Sequence, residues 1–149
     1  MPERREITSD RTSELSANID DMTAEDLGAA MELLLEEGAL DVWFTPIQMK
    51  KNRPAVMLSL LCPRGAEERF AELILRHTTT FGVRITEQRR FLLEREITVK
   101  ETELGPCRLK KGLLRGSTIK EMPEYEDLKK MARENSMSLS EVRRAVEDK

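Results

Sequence analysis

The chain has 149 residues, 39% of them hydrophobic and 36% charged, the proportions of one folded domain of ordinary size. Its longest apolar runs, such as MLSLLC at 57–62, fall far short of the ~20 residues a spanning helix needs, so neither a membrane partner nor a secretory leader is expected. Cys62 and Cys107 stand 45 residues apart with no C-x-x-C partner, which argues against a disulfide framework or a thiolate zinc site and points to the cytoplasm.

The net charge of −3 conceals a segregation. Residues 1–49 carry 3 Lys/Arg against 12 Asp/Glu, residues 50–115 carry 15 against 8, and residues 116–149 carry 7 against 8. An acidic first third beside a basic middle suits a protein that handles a cation and a polyanion together, although folding can also interleave such charges into plain surface. With aromatics at 4%, the stacking platforms of nucleic-acid binders are poorly supported, and no nucleic-acid partner is expected.

Residues 1–12 show no apolar period and read as a flexible leader. From Glu14 to Asp20 the chain alternates, with Leu15, Ala17 and Ile19 facing one way and Ser16, Asn18 and Asp20 the other, as in a half-buried strand. Thr23 and Asp26 resemble a cap, and Leu27, Ala30, Met31, Leu34 and Leu35 form a helical stripe ending at Gly38. LDVWFTPIQM at 40–49 reads as a strand, placed at a sheet edge by Pro46, and KKNRP at 50–54 turns it back into the apolar, central strand AVMLSLLC at 55–62.

Ala66, Phe70, Leu73, Ile74 and His77 recur at helical spacing, and VRITEQRRFLLEREITVKET then alternates, with a kink near Phe91–Leu93 and a Gly-Pro turn at 105–106. Pro123 introduces one short helix, and Ser138 with Glu141 caps a second. The predicted fold is α+β: a ferredoxin-like βαββαβ plait over residues 13–91, then a β extension and two C-terminal helices over 92–149 within the same functional unit. The first and third strands are expected to be central and parallel. The uncovered sheet face is expected to carry Ser16, Asn18 and Asp20 beside Arg84, Thr86 and Gln88.

Three short motifs carry chemistry. In NIDDM at 18–22, Asp20 and Asp21 can supply oxygens to a hard divalent cation, or they can simply place negative charge near a helix N-terminus. In MKKNRP at 49–54, Lys50, Lys51 and Arg53 can hold a phosphate chain, or they can form a solvated turn guarding an edge strand. HTTTFGVR at 77–84 sets Thr78, Thr79 and Thr80 before Arg84, with Gly82 permitting close approach of an oxyanion. His77, on the apolar stripe, reads as structural, and Cys62 and Cys107 read as buried packing residues. No residue is singled out as catalytic.

Together NIDDM, GALDVWFTPIQMKKNRPAVMLSLLCP at 38–63, ILRHTTTFGVR at 74–84 and PEYEDLKKMARENSMSLSEV resemble the C-terminal half of the LarC family, the nickel-inserting enzymes of the nickel-pincer nucleotide cofactor. The resemblance runs from Ser13 onward, and the N-terminal half of the family's chain has no counterpart here. It implies a CTP-dependent cyclometallase, a nickel chelatase of the lyase class. Such an enzyme inserts Ni²⁺ as substrate metal into a pyridinium-3,5-bisthiocarboxylate mononucleotide, with CTP as co-substrate and Mn²⁺ or Mg²⁺ required, for the maturation of lactate racemase. Residue by residue, it implies that Asp20 and Asp21 serve the metal, that Lys50, Lys51 and Arg53 grip the triphosphate, and that Thr78, Thr79, Thr80 and Arg84 complete the nucleotide site.

Without its N-terminal half as partner, such a chain is expected to bind CTP but not to complete insertion. The plait drawn from the sequence puts Asp20 and Arg84 at one sheet edge and the Lys50–Arg53 turn at the opposite one, which calls for a homo-oligomer that joins them across subunits. A non-catalytic plait for ligand sensing or assembly is the alternative.

Overall fold

The structure is a computed structural model that describes residues 7–147, and the chain divides into two compact units, Ser9–Arg90 and a second containing Phe91 onward. In the first unit, strands β1 (Thr8–Ile19), β2 (Asp41–Met49), β3 (Arg53–Pro63) and β4 (Arg84–Leu92) form one sheet in the order β2-β3-β1-β4. Helices α1 (Ala24–Glu36) and α2 (Glu67–His77) complete the βαββαβ order. The ferredoxin-like plait is therefore present, with β1 and β3 central and β2 at an edge, where the missing N–H of Pro46 costs no ladder bond.

Two details differ from the sequence reading. β1 begins at Thr8, so residues 8–12, expected in the leader, are strand, while residues 1–6 of that expected leader lie outside the described residues. Thr12 and Ser13 already pair with Pro63 and Cys62, and backbone pairing of this kind needs no apolar period. β1 and β3 are also antiparallel, not parallel, with Leu15 opposite Leu60 and Ile19 opposite Val56. The β2–β3 hairpin reverses the chain after β2 has run in the direction of β1, so β3 must oppose both.

The alternation in β1 does its expected work. Leu15, Ala17 and Ile19 are buried with Leu58, Leu60 and Cys62 of β3, against Leu34 of α1 and Phe70 and Ile74 of α2. Helix α1 starts where the Thr23 hydroxyl accepts the Asp26 N–H at 3.1 Å. It stops at Gly38, whose φ of +92° lets Gly38 and Ala39 donate back to Leu35 and Leu34. On the sheet face away from the helices, Arg84 donates to Asn18 (2.9 Å) and Gln88 to Glu14 (2.7 Å), so β1 and β4 are laced by polar side chains as expected for that face.

The second unit holds a three-stranded antiparallel sheet, β5 (Glu94–Thr102), β6 (Gly105–Leu114) and β7 (Ser117–Pro123), with helices α3 (Tyr125–Glu134) and α4 (Leu139–Glu147). The turn expected at Gly105–Pro106 lies at Glu103–Leu104 instead, and both expected turn residues begin β6 opposite Thr102 and Glu101. The Thr102 hydroxyl closes that turn, donating to the Gly105 carbonyl at 2.8 Å and accepting the Leu104 N–H at 3.1 Å. The β6–β7 turn uses Arg115 and Gly116 at φ +51° and +83°, the left-handed pair that fits a tight hairpin. Cys107, Leu109, Leu128, Met131, Val142 and Val146 form a separate core, and Ser138 and Glu141 cap α4 reciprocally, as the sequence predicts. Among the described residues no helix is long and apolar enough to cross a membrane.

Candidate functional site

Asp20 follows the last residue of β1, and the β2–β3 turn leads into Arg53, the first residue of β3. Because β1 and β2 both oppose β3, the end of β1 and the end of β2 stand at the same end of the sheet. Arg84 opens β4 at that end too, as its bond to Asn18 shows. The three motifs therefore converge within one chain.

Arg53 Nη1 donates to Asp20 Oδ2 at 3.2 Å, and the Thr79 hydroxyl donates to Asp21 Oδ1. The sequence-based expectation that Asp20 and the Lys50–Arg53 turn occupy opposite sheet edges is thus overturned. The turn belongs to the edge strand β2, but Arg53 belongs to β3, which lies directly beside β1. Its side chain spans the ~4.8 Å between neighbouring strands. The geometric reason for a subunit-bridging site disappears with it.

The basic turn is built under strain. Lys50–Asn52 form a single 3-10 turn in which Lys51 and Asn52 both have positive φ, +60° and +58°. Such a conformation costs a side-chain-bearing residue on the order of 1 kcal/mol. Gln48 Nε2 donates to Asn52 Oδ1 at 2.9 Å and braces the turn. Lys50 and Lys51 are exposed, and among the described residues neither has a carboxylate within ion-pair distance. Lys50, Lys51, Arg53 and Arg84 thus stand at the same end of the sheet as Asp20 and Asp21, a clustering of basic groups that favours a polyanion.

The three threonines have distinct partners. Thr78 donates to the Ile74 carbonyl at 2.7 Å and finishes α2, while Thr80 donates to the Gly82 carbonyl at 3.0 Å and tightens the loop before β4. Thr79 is the one that meets Asp21. His77, expected on the buried stripe, is exposed in the last turn of α2. It shares with Asp21, Asp26, Arg76 and Thr79 the lining of a cleft of about 530 Å³. Helical spacing alone does not mark where a stripe runs out at a helix end. Cys62 and Cys107 are fully buried, and burial pushes both thiols up from their ordinary pKa, so neither is poised as a thiolate.

Among the described residues, no group of three or more His, Cys, Asp or Glu side chains is arranged to hold a metal by itself. Asp20 and Asp21 supply two carboxylates, and a hard cation that draws its other oxygens from elsewhere takes no more than one or two from a protein. The sequence reading set Asn18 beside Arg84 on the uncovered face without giving it a role, and it missed Gln48 with Asn52, which brace the turn. Asn52 lies inside MKKNRP, so the motif contained it, but residue types in a turn do not reveal which of them faces which.

A family model described as nickel insertion protein matches residues 1–143. The pyridinium-3,5-bisthiocarboxylic acid mononucleotide nickel insertion protein of Acetivibrio thermocellus is 46% identical over 142 residues, covering 95% of this chain and 35% of that protein. A putative nickel insertion protein of Pelobacter propionicus is 49% identical over 138 residues, covering 93% and 35%. The chain spans about a third of the length of these relatives. Among solved structures, LarC2, the C-terminal domain of a cyclometallase involved in the synthesis of the NPN cofactor of lactate racemase, superposes with a TM-score of 0.89 at 38% identity, over 93% of this chain and 95% of that one. A Methanopyrus kandleri protein at 22% identity and a TM-score of 0.70, over 95% and 89%, shares the fold. By the extent of these matches, the chain belongs to the nickel insertion protein family.

Proposed function

We propose that this chain is the CTP- and divalent-metal-binding portion of a nickel-inserting cyclometallase, working in the cytoplasm with the remainder of a longer enzyme. The reaction is nickel insertion into a pyridinium-3,5-bisthiocarboxylate mononucleotide, which yields the nickel-pincer cofactor used by lactate racemase. One observation carries the reading: two contacts, Arg53 to Asp20 and Thr79 to Asp21, link three separate motifs through adjacent residues that follow β1.

In this account Asp20 and Asp21 would hold Mn²⁺ or Mg²⁺ together with the triphosphate, and the ion would neutralise phosphate charge. Arg53 can turn from Asp20 to a phosphate with two parallel N–H donors, while Lys50 and Lys51 add point charges from the turn. Arg84, fixed by Asn18, adds a fourth cation. Thr79 orients the Asp21 carboxylate by its hydroxyl bond. Thr78 and Thr80 hold the loop in shape and donate away from the acidic pair.

Titration calorimetry with CTP, with and without Mn²⁺, tests the reading. Saturable binding strengthened by Mn²⁺ is expected, with Asp20→Ala weakening it when Mn²⁺ is present and Lys50→Ala weakening it with or without the ion. Absence of any heat from nucleotide or metal would remove it.

A further inference from the structure

Phe81 is fully exposed, at 104% relative accessibility, although the chain has only four phenylalanines and buries Phe70 to 1%. An aromatic ring of this kind ordinarily buries 150–250 Å² of surface, roughly 25 cal/mol for each Å², so holding it in water forgoes a large stabilisation. The loop that carries it is nonetheless ordered by its own bonds. Thr78 donates to Ile74, Thr80 donates to the Gly82 carbonyl, and the Gly82 N–H returns to Thr80 Oγ1 at 3.4 Å.

The position of the ring matters as much as its exposure. Phe81 lies two residues after Thr79, whose hydroxyl is bonded to Asp21, so at most ~7 Å of chain separates the two Cα atoms. Three residues further on, Arg84 meets Asn18 beside the acidic pair. An exposed ring is thus carried on the same loop as Thr79 and Arg84, within two or three residues of the groups that touch Asp21 and Asn18. The ligand chemistry that completes both halves is a phosphate chain joined to a planar heterocycle.

We propose that Phe81 is the stacking platform for the base of the nucleotide bound at Asp20, Asp21 and Arg53. The inference rests on the nucleotide reading above and extends it to the ring-binding residue. Stacking is tolerant of base identity because every base has a π-face, so Phe81 contributes affinity for the nucleoside and leaves the choice of cytosine to other groups.

The test compares CTP with inorganic tripolyphosphate, each titrated with Mn²⁺ into the whole chain and into Phe81→Ala and Phe81→Tyr. Stacking is expected to make CTP bind tighter than tripolyphosphate. Phe81→Ala is expected to weaken CTP and UTP alike by roughly 5- to 100-fold while leaving tripolyphosphate within twofold, and Phe81→Tyr to restore CTP binding. If wild-type chain binds CTP with Mn²⁺ and Phe81→Ala binds it equally well, the stacking role is overturned while the nucleotide site stands. Equal loss of CTP and tripolyphosphate overturns it too, because the ring would then be shaping the loop. Should wild-type chain bind neither ligand, the nucleotide reading itself fails.

Discussion

Arg53 Nη1 lies 3.2 Å from Asp20 Oδ2, across 33 residues of sequence. With side-chain accessibilities of 59% and 23%, a pair this wet is worth at most about 1 kcal/mol. It is therefore cheap to exchange. Ligand binding can replace one ion pair by two better ones, carboxylate to metal and guanidinium to phosphate, without ever leaving a charge unpaired.

That exchange predicts an asymmetry. Asp20→Ala deletes a metal donor but frees Arg53, so metal-free CTP is expected to bind at least as well as to wild type. The strengthening conferred by Mn²⁺ is expected to collapse toward none. The ratio of dissociation constants with and without Mn²⁺, measured by calorimetry, checks it; an unchanged ratio would place the metal elsewhere.

Arg53→Ala removes a charge-assisted contact of about 1.5–3 kcal/mol, equivalent to roughly 10- to 150-fold in CTP affinity. Arg53→Lys restores the charge but not the paired donors, and is expected to recover only part of the loss. Full recovery by lysine would show that Arg53 acts as a bulk charge.

Lys51 sits at φ +60° with its side chain exposed. In Lys51→Gly the relief of backbone strain offsets the added freedom of the unfolded chain, each on the order of 1 kcal/mol. Urea unfolding is therefore expected to change by less than about 1 kcal/mol while CTP affinity falls. A large loss of stability with unchanged affinity would make the lysine structural.

In the second unit, Arg108 grips Asp127 through Nε and Nη2 at 3.0 and 2.7 Å, and the Arg108 N–H donates to the same carboxylate at 2.8 Å. The guanidinium bonds, aided by that N–H, hold the Asp127 carboxyl below its ordinary value despite the opposing effect of burial. A carboxyl with a depressed folded-state pKa stabilises the fold above its unfolded value, near pH 4, and the contribution is lost as pH falls through the folded value. The stability difference between wild type and Asp127→Asn, from urea unfolding, is expected to be greatest near neutrality and to shrink below about pH 4. A difference independent of pH would mean that packing is what the asparagine disturbs.

Much of this was legible in the sequence because burial writes itself as periodicity. Leu15, Ala17 and Ile19 announced β1, the run at 55–62 announced a central strand, and the Thr23 and Ser138 caps marked helix starts. What stayed hidden depended on register and direction. Thr12 and Ser13 are buried strand residues without apolar side chains, and the Glu103–Leu104 turn is closed by a threonine hydroxyl instead of a Gly-Pro pair. The site residues were legible as types, but their meeting was not. The plait read from the sequence already set the third strand beside the first, but it began that strand at Ala55; in the structure β3 begins at Arg53, which puts the guanidinium on the strand next to Asp20.

The most direct test of the central claim is a crystal structure of this chain grown with CTP and Mn²⁺. The account predicts Asp20 and Asp21 oxygens at about 2.1 Å from an ion that also touches the triphosphate, with Arg53 swung from Asp20 onto a phosphate. Nucleotide density elsewhere on the chain, with the Arg53–Asp20 pair still closed, would contradict it.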